Sequence, residues 1–587
     1  MMSSEEHTTL DESDIALRRA AQGLDQALHA IGSQASMGLS PISLTLAFLD
    51  WALHLGTSPG QQMVLMQQAV ADLSQALNTP ATEEKDPRFR HEAWQQWPYS
   101  SLKENYKAQV NQWLRAIQLE GMSDHHRHLV NFFARQWLDA LSPSNWPWSN
   151  PQVMRQALDT RGESWLKGWR QYLQDLNHRA AIEKDAHKLD PLPFEVGKDV
   201  AITPGKVVFR NRLIELIQYA PTTPQVHTEP LLIVPSCIMK YYILDLSANN
   251  SMVRYLVDKG HTVFMISWRN PDSSDRDVGM DDYVRLGVLD AMATVKAQTG
   301  EPRLHAIGYC LGGTFLAIAA AVLGRRTHRR RRRADPTLPE LASVTLLAAQ
   351  TDFSEPGELG VFIDDDQLKT LREDMAQKGY LTGKQMAGAF QFLNSRDLIW
   401  SRNTHRYFLG EEDVGMDMMS WNADTTRLPE RMHNEYLNSL FLHDALAKGH
   451  FRFEGEGVAL MDIHAPMLVV GTVRDHVSPW RSVYKIHLLT HTDITFILAA
   501  GGHNAGIVSE PGHPHRSYQM QHASPGHTWT EPDVWMKQAS VHEGSWWVPM
   551  QHWLEKHSSQ LVKARAISSK RALCDAPGDY VKVRYVD

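Results

Sequence analysis

Arg303-Leu-His-Ala-Ile-Gly-Tyr-Cys-Leu-Gly-Gly313 decides the fold. The apolar run 304–307 reads as a buried strand, Gly308 to Gly313 as a tight turn, and the small apolar residues 314–323 as a helix. This is the G-x-nucleophile-x-G spacing of a nucleophile elbow, with Cys310 where serine more often stands. The chemistry needs that spacing. The nucleophile sits at a strained backbone position, and the flanking glycines let strand and helix approach without a Cβ between them. The helix N-terminus lowers a thiol pKa and puts the Leu311 N–H where an oxyanion would form. The other reading of the same residues is a buried cysteine in a glycine-rich turn.

The surroundings favour the elbow. After Asp190-Pro-Leu-Pro193 the sequence turns to short β-rich runs at 207–209, 213–219 and 230–235. Helix 251–259 leads to strand 262–268, helix 280–298 leads to strand 304–307, and strand 343–349 follows. Such alternation predicts a mostly parallel sheet with helices on both faces. Between about 351 and 460 the alternation stops, and that long excursion is where a cap or lid belongs. Strand pattern returns at 466–472 and 494–500, and the tail from Trp529 holds five tryptophans and a helix pattern at 548–558.

A cysteine nucleophile needs a base, and the base an orienting acid. In this fold they follow in the order nucleophile, acid, histidine. Strand 466–472 runs into Val473-Arg-Asp475-His476, which places the acid at Asp475. Strand 494–500 runs into Gly501-Gly-His503-Asn504, which places the base at His503. Coincidence is cheap among 29 histidines, so the order and the post-strand positions carry the assignment. His476 is the alternative base, or a pocket residue beside the acid, and Tyr309 next to the nucleophile is a further pocket candidate. The second oxyanion N–H belongs to the loop Val234-Pro-Ser-Cys237-Ile238, at Cys237 or Ile238. The Cys237 side chain reads as a small packed residue.

Composition narrows the class. Across 587 residues, 59 basic and 67 acidic side chains give a net charge of −8, so no global basic field points to nucleic acid. Three cysteines, Cys237, Cys310 and Cys574, make no disulfide framework and fit a reducing compartment. The start is polar and acidic, unlike a secretory signal, and the apolar run 42–55 is too short to span a membrane. A cytoplasmic protein is expected. His125-His-Arg-His128 lacks acids at ligand spacing and reads as a solvated helix face.

Residues 1–30 read as a lead-in with one amphipathic stretch at 15–31. Ser40 and Pro41 open a helix that stops at Gly56 and is apolar nearly all round, so it must pack on something. Residues 61–188 read as helical, with tryptophans at 94, 97, 113, 137, 146, 148, 165 and 169. Tryptophan faces usually pack, so core is the expectation, and a binding surface is the sharper alternative. The arginine-rich run 325–333 reads as an exposed, solvated loop, with attraction to an anionic surface or ligand as its alternative.

With these residues placed, the chain resembles a polyhydroxyalkanoate synthase, most similar to the class I enzymes of the α/β-hydrolase superfamily. The likeness spans nearly the whole sequence. It includes Gly38-Leu-Ser-Pro41, Asp86-Pro-Arg-Phe89, Ser142-Pro-Ser-Asn145, Thr203-Pro-Gly205, Ser267-Trp-Arg-Asn-Pro271, the elbow, Trp421-Asn-Ala-Asp424, Asp475-His476, Gly502-His503 and Ala576-Pro-Gly578. The resemblance implies a lead-in at 1–30, a helical N-terminal domain at 31–190 and a capped α/β-hydrolase-like domain at 191–587. It implies joining of (R)-3-hydroxyacyl-CoA monomers into a polyester with CoA released and no cofactor, since acyl-CoA is the substrate. Cys310 would carry the chain, His503 would deprotonate thiol and hydroxyl, and Asp475 would orient His503 or help activate the hydroxyl. It also implies a homodimer at the surface of cytoplasmic polyester granules, among granule-associated proteins. The family's pattern departs at Met239, Asn394 and Arg396, which bears on CoA contacts or the pocket, and the arginine run is no part of it. The competing readings are a thioesterase or depolymerase on the same fold, and a granule-binding protein without polymerase activity.

Overall fold

The computed structural model describes residues 40–78, 84, 86–184, 193–328, 335–393, 395–412 and 416–584. The lead-in, the stretch 15–31 and Asn394 lie outside the described residues. So do residues 329–334, which take in most of the arginine run; of that run, Arg325 donates to the Gly457 carbonyl at 2.5 Å.

Eleven strands form one sheet. In chain order they are β1 (Gly205–Arg210), β2 (Ile214–Tyr219), β3 (Leu231–Val234), β4 (Val263–Trp268), β5 (Arg303–Tyr309) and β6 (Glu340–Leu347). After the cap come β7 (Met467–Thr472), β8 (Ile494–Ala499), β9 (Ser517–Ala523), β10 (Ser540–Glu543) and β11 (Cys574–Asp575). The spatial order is β10-β9-β8-β7-β6-β5-β3-β4-β2-β1-β11. The six strands from β8 through β4 pair in parallel, and antiparallel strands extend both edges. The parallel strands β3, β4, β7 and β8 are buried along their whole length, as continuous apolar runs in a sheet covered on both faces should be. The strand β9 stays partly exposed, the edge strand β10 is exposed along its length, and neither carries such a run, so no sequence pattern announced them.

The excursion between β6 and β7 is a largely helical cap, and the N-terminal helices rest on it. These are α1 (Pro41–Gly56), α2 (Pro59–Asn78), α3 (Tyr99–Ile117), α4 (Asp124–Ala140), α5 (Pro151–Asp159) and α6 (Glu163–Lys184). Ser40 caps α1 and Pro41 opens it, as expected. A small core joins Ala47, Ile117, Leu129, Val130 and Phe132 to Val361 and Leu393 of the cap. Asp175 on α6 receives both Nε and Nη2 of Arg406 at 2.8 Å and the Tyr407 hydroxyl at 2.7 Å. His126 faces Asp50 at 2.7 Å and His125 faces Asp364 at 3.3 Å, so this histidine cluster makes pairing contacts along α4. No helix among the described residues is long and apolar enough to cross a membrane.

One expectation is corrected. Of the eight N-terminal tryptophans, Trp94 is fully buried, whereas Trp97, Trp113, Trp137, Trp146, Trp148, Trp165 and Trp169 are exposed. The helices bury smaller side chains, such as Ile117 and Leu129, and turn their indoles outward. The largely apolar α1 behaves likewise: Ala47 is buried while Ile42, Leu46, Leu49 and Leu53 form an exposed stripe.

Candidate active site

The elbow forms because two close approaches leave no room for side chains. A Cβ on Gly308 would stand 2.4 Å from Gly313 Cα, and one on Gly312 would stand 2.3 Å from the Pro235 carbonyl oxygen. β5 therefore passes directly into helix Leu311–His328. Residues 311–322 of that helix are buried almost without break, and each fully buried Leu, Ile or Phe contributes about 1.5–3 kcal/mol. The Cys310 N–H still bonds to β6 through the Leu347 carbonyl at 2.9 Å. The chain then turns sharply, with Cys310 at φ 51°, a left-handed conformation costly for a side chain with a Cβ and held by the packing around it. The sulfur is thereby presented beyond the strand end, half-buried.

Asp475 and His503 follow the adjacent parallel strands β7 and β8 and meet there. His503 Nδ1 lies 2.8 Å from Asp475 Oδ2. Asp475 is fixed in turn, with Oδ1 accepting the N–H groups of Val477 (2.9 Å) and Ser478 (2.7 Å) and Oδ2 the Thr472 hydroxyl (3.1 Å). Cys310 lies close enough to His503 for its sulfur to act on the charge of the ring. Burial disfavours charge on the ring, but the Asp475 carboxylate and the Cys310 sulfur outweigh it, and the His503 pKa stands well above the usual histidine value. Cys310, Asp475 and His503 thus stand together at the ends of β5, β7 and β8.

Tyr309 is buried and its hydroxyl donates to Asn504 Oδ1 at 2.6 Å, with its ring centroid 5.6 Å from that of His503. It braces the histidine loop. The His476 side chain is 55% exposed and faces Glu358 at 3.7 Å. Leu311 opens the elbow helix, where N–H groups lack intrahelical acceptors. Cys237 is buried, and burial together with the nearby Cys310 pushes its thiol pKa well up, consistent with a packed, inert side chain. The Ile238 N–H is turned onto the Ser236 hydroxyl oxygen at 3.3 Å, which leaves Cys237 the stronger of the two backbone donors.

The cap reaches the site at residues that sequence reasoning missed. The Thr426 hydroxyl lies 2.8 Å from the Cys237 carbonyl oxygen and 2.6 Å from that of Ile238. Met239 forms an antiparallel bridge with Thr425. Tyr436 comes close enough to Cys310 and Cys237 that their charges add to the effect of burial in pushing its phenol pKa well up. It packs on Phe441 at 5.2 Å and Phe353 at 6.5 Å. Arg396 is exposed at the start of the π-helical turn Arg396–Ser401 in the cap.

Among the described residues, Glu215, Cys574 and Asp579 are near enough to share a metal ion. The Arg210 guanidinium already pairs with Glu215 and Asp579 there, which makes the group an ion-pair cluster.

The comparisons follow the same layout. Residues 19–61 match the family model for the poly-beta-hydroxybutyrate polymerase N terminal region, and residues 85–256 that for the poly-beta-hydroxybutyrate polymerase (PhaC) N-terminus. Residues 230–510 match the alpha/beta hydrolase fold. A poly(3-hydroxyalkanoate) polymerase of Methylorubrum extorquens is 37% identical over 541 residues, covering 91% of this chain and 87% of that protein. A poly(3-hydroxyalkanoate) polymerase subunit PhaC of Rhizobium etli is 35% identical, covering 85% and 77%. That of Cupriavidus necator is 34% identical, covering 91% of each. With this similarity along its length, and a cysteine elbow backed by histidine and aspartate, the chain belongs to the poly(3-hydroxyalkanoate) polymerase family.

Proposed function

We propose that this chain is an acyltransferase that joins (R)-3-hydroxyacyl-CoA monomers into polyhydroxyalkanoate and releases CoA. The observation that carries the reading is the Asp475–His503 pair set against an elbow cysteine, in a chain of the polymerase family. His503 takes the Cys310 proton, and the thiolate attacks the thioester carbonyl. The oxyanion is held by the Leu311 N–H and a backbone N–H of the loop at Cys237 and Ile238. The carbon–sulfur bond to CoA breaks, and CoA leaves with the proton from His503. The 3-hydroxyl of a further acyl unit then gives its proton to His503, and its oxygen attacks the Cys310 thioester. An ester bond forms, the bond to Cys310 breaks, and the chain is longer by one unit. The sequence so written calls on no cofactor.

Asp475 acts on His503. Its side chain is fully buried and both its oxygens accept from protein donors, which supports this role over direct contact with a substrate hydroxyl. Transfer to an alcohol in preference to water calls for a dry site, and the cap residues Thr426 and Tyr436 beside Cys237 and Cys310 supply one. The exposed indoles and the apolar stripe on α1 suit a hydrophobic product or a second copy of the chain. The reading therefore extends to a homodimer working at the surface of cytoplasmic polyester granules, beside granule-associated proteins.

The test is a paired assay on purified protein with (R)-3-hydroxybutyryl-CoA and a longer homologue. Free thiol and acyl product are followed together, against Cys310→Ala. Cysteine-dependent CoA release with insoluble polyester is the expected result. Cysteine-dependent release with soluble hydroxy acid alone would make the protein a hydrolase.

A further inference from the structure

The loop after β3 holds one charged residue, Lys240, three positions beyond Cys237. Its side chain is buried, at 3% exposure. The Nζ donates to the Val583 carbonyl at 2.6 Å and the Tyr580 carbonyl at 3.5 Å, both in the C-terminal segment. Asn270 Nδ2 reaches the same Val583 carbonyl at 3.4 Å. That segment is itself fixed to the sheet. The N–H groups of Asp579 and Tyr580 bond to Glu215 Oε2 at 3.0 and 2.9 Å, and the Tyr580 hydroxyl donates to the Asn211 carbonyl at 2.7 Å. On its other side the loop is held by the cap, where Trp421 Nε1 donates to the Lys240 carbonyl at 2.7 Å.

Burying an ammonium is costly, and the cost is visible here: burial pulls the Lys240 pKa down to about 8 even with Asp424 nearby to oppose it. An apolar side chain of similar length would pack the same space at less cost. What an apolar side chain cannot do is tie the loop to carbonyls some 340 residues away in sequence.

We propose that Lys240 is a positioning residue for acyl transfer: its grip on the Tyr580 and Val583 carbonyls fixes the Ser236–Lys240 backbone against the C-terminal segment and aims the second oxyanion N–H. The inference rests on the acyl-transfer reading of Cys310. An oxyanion donor acts on the transition state, so a misaimed one slows acylation and leaves substrate binding alone. Alkylation of the same thiol makes no oxyanion and gives an internal control.

The experiment measures single-turnover CoA release from (R)-3-hydroxybutyryl-CoA beside alkylation of Cys310 by iodoacetamide. It uses the full chain, Lys240→Met, Lys240→Arg, a chain ending at Asp579, and the combination of that shortening with Lys240→Met. Removing one oxyanion donor costs about 100- to 1,000-fold, so misaiming one in Lys240→Met should slow acylation about 10- to 100-fold. Alkylation and KM should stay within about threefold, by the same argument. Lys240→Arg keeps a donor for the carbonyls and should recover much of the rate. The shortened chain should reproduce the Lys240→Met defect, and the combination should be no slower than either alone. Acylation in Lys240→Met equal to the parent overturns the inference. So does a parallel loss of acylation and alkylation, which would mark a general structural role. If Lys240→Met does not fold, the Lys240→Arg and shortened chains decide by the same comparison. A parent chain that is alkylated but never acylated would instead overturn the acyl-transfer reading itself.

Discussion

His503 Nδ1 stands 2.8 Å from Asp475 Oδ2, across 28 residues of sequence and the ends of two adjacent parallel strands. Three other donors pin the carboxylate, so its direction is set before the histidine arrives. Asp475→Asn would keep the shape and lose the charge and the tautomer control. CoA release should fall by about 100- to 10,000-fold. Single-turnover assays, with iodoacetamide labelling of Cys310 to check the fold, measure it.

Cys310→Ser tests the choice of nucleophile at a position already strained at φ 51°. A hydroxyl holds its proton far more tightly than a thiol, and its ester is a poorer acyl donor than a thioester. Polymer formation should drop at least about 100-fold, the lower bound of a general-base contribution. Cys310→Ala should give none. Turbidity and CoA release, followed together, read both.

Gly308→Ala and Gly312→Ala should each destabilise by about 1–3 kcal/mol or more, because the new Cβ meets backbone atoms that cannot withdraw. Gly388→Ala, in the cap helix Gly383–Leu393 with open space around it, should be neutral or stabilising by up to about 1 kcal/mol. Urea unfolding midpoints compare the three.

Acid should weaken the fold through buried neutral histidines. Burial lowers the pKa of His261 to about 3 and that of His305 to about 4. The unfolded chain takes up these protons below about pH 6.5, whereas the folded chain does not, so stability falls as pH drops from there toward 4. Each group should cost about 2 kcal/mol at pH 5 relative to pH 7. Unfolding midpoints at the two values test this, and His261→Asn should shrink the difference. His503 runs the other way. Its pKa is raised on folding, so its contribution is complete below about pH 6.5 and is lost as pH rises through the folded value.

Asp175→Ala removes the acceptor for Arg406 and Tyr407, loosening α6 from the cap. The groups are partly exposed, so the loss should be about 1–2 kcal/mol. Limited proteolysis should cut this variant faster within α6 than the parent.

The elbow was legible because its glycines, cysteine and apolar flanks are contiguous. Asp475 and His503 were legible because each follows a run of six buried strand residues. Thr426, Tyr436 and Lys240 were not. Their contacts arise where the cap and the C-terminal segment return over the strand ends, and no local pattern records a return. The tryptophans show a related limit. Trp165, Trp169, Tyr172 and Leu176 repeat at helical spacing and stand on one face of α6, all exposed. Periodicity defines such a face and leaves its neighbour undefined.

The sequence by itself determined the strand–helix order, the cysteine elbow and the places of Asp475 and His503 after their strands, because backbone sterics and apolar periodicity act over a few residues. The tertiary structure alone decided which loops meet over Cys310, that Asp475 is buried with both oxygens bonded to protein donors, that His476 is exposed and faces Glu358, and that Lys240 grips the C-terminal segment. Those relations depend on distances between segments hundreds of residues apart, which are set when the whole sheet and its cap pack together.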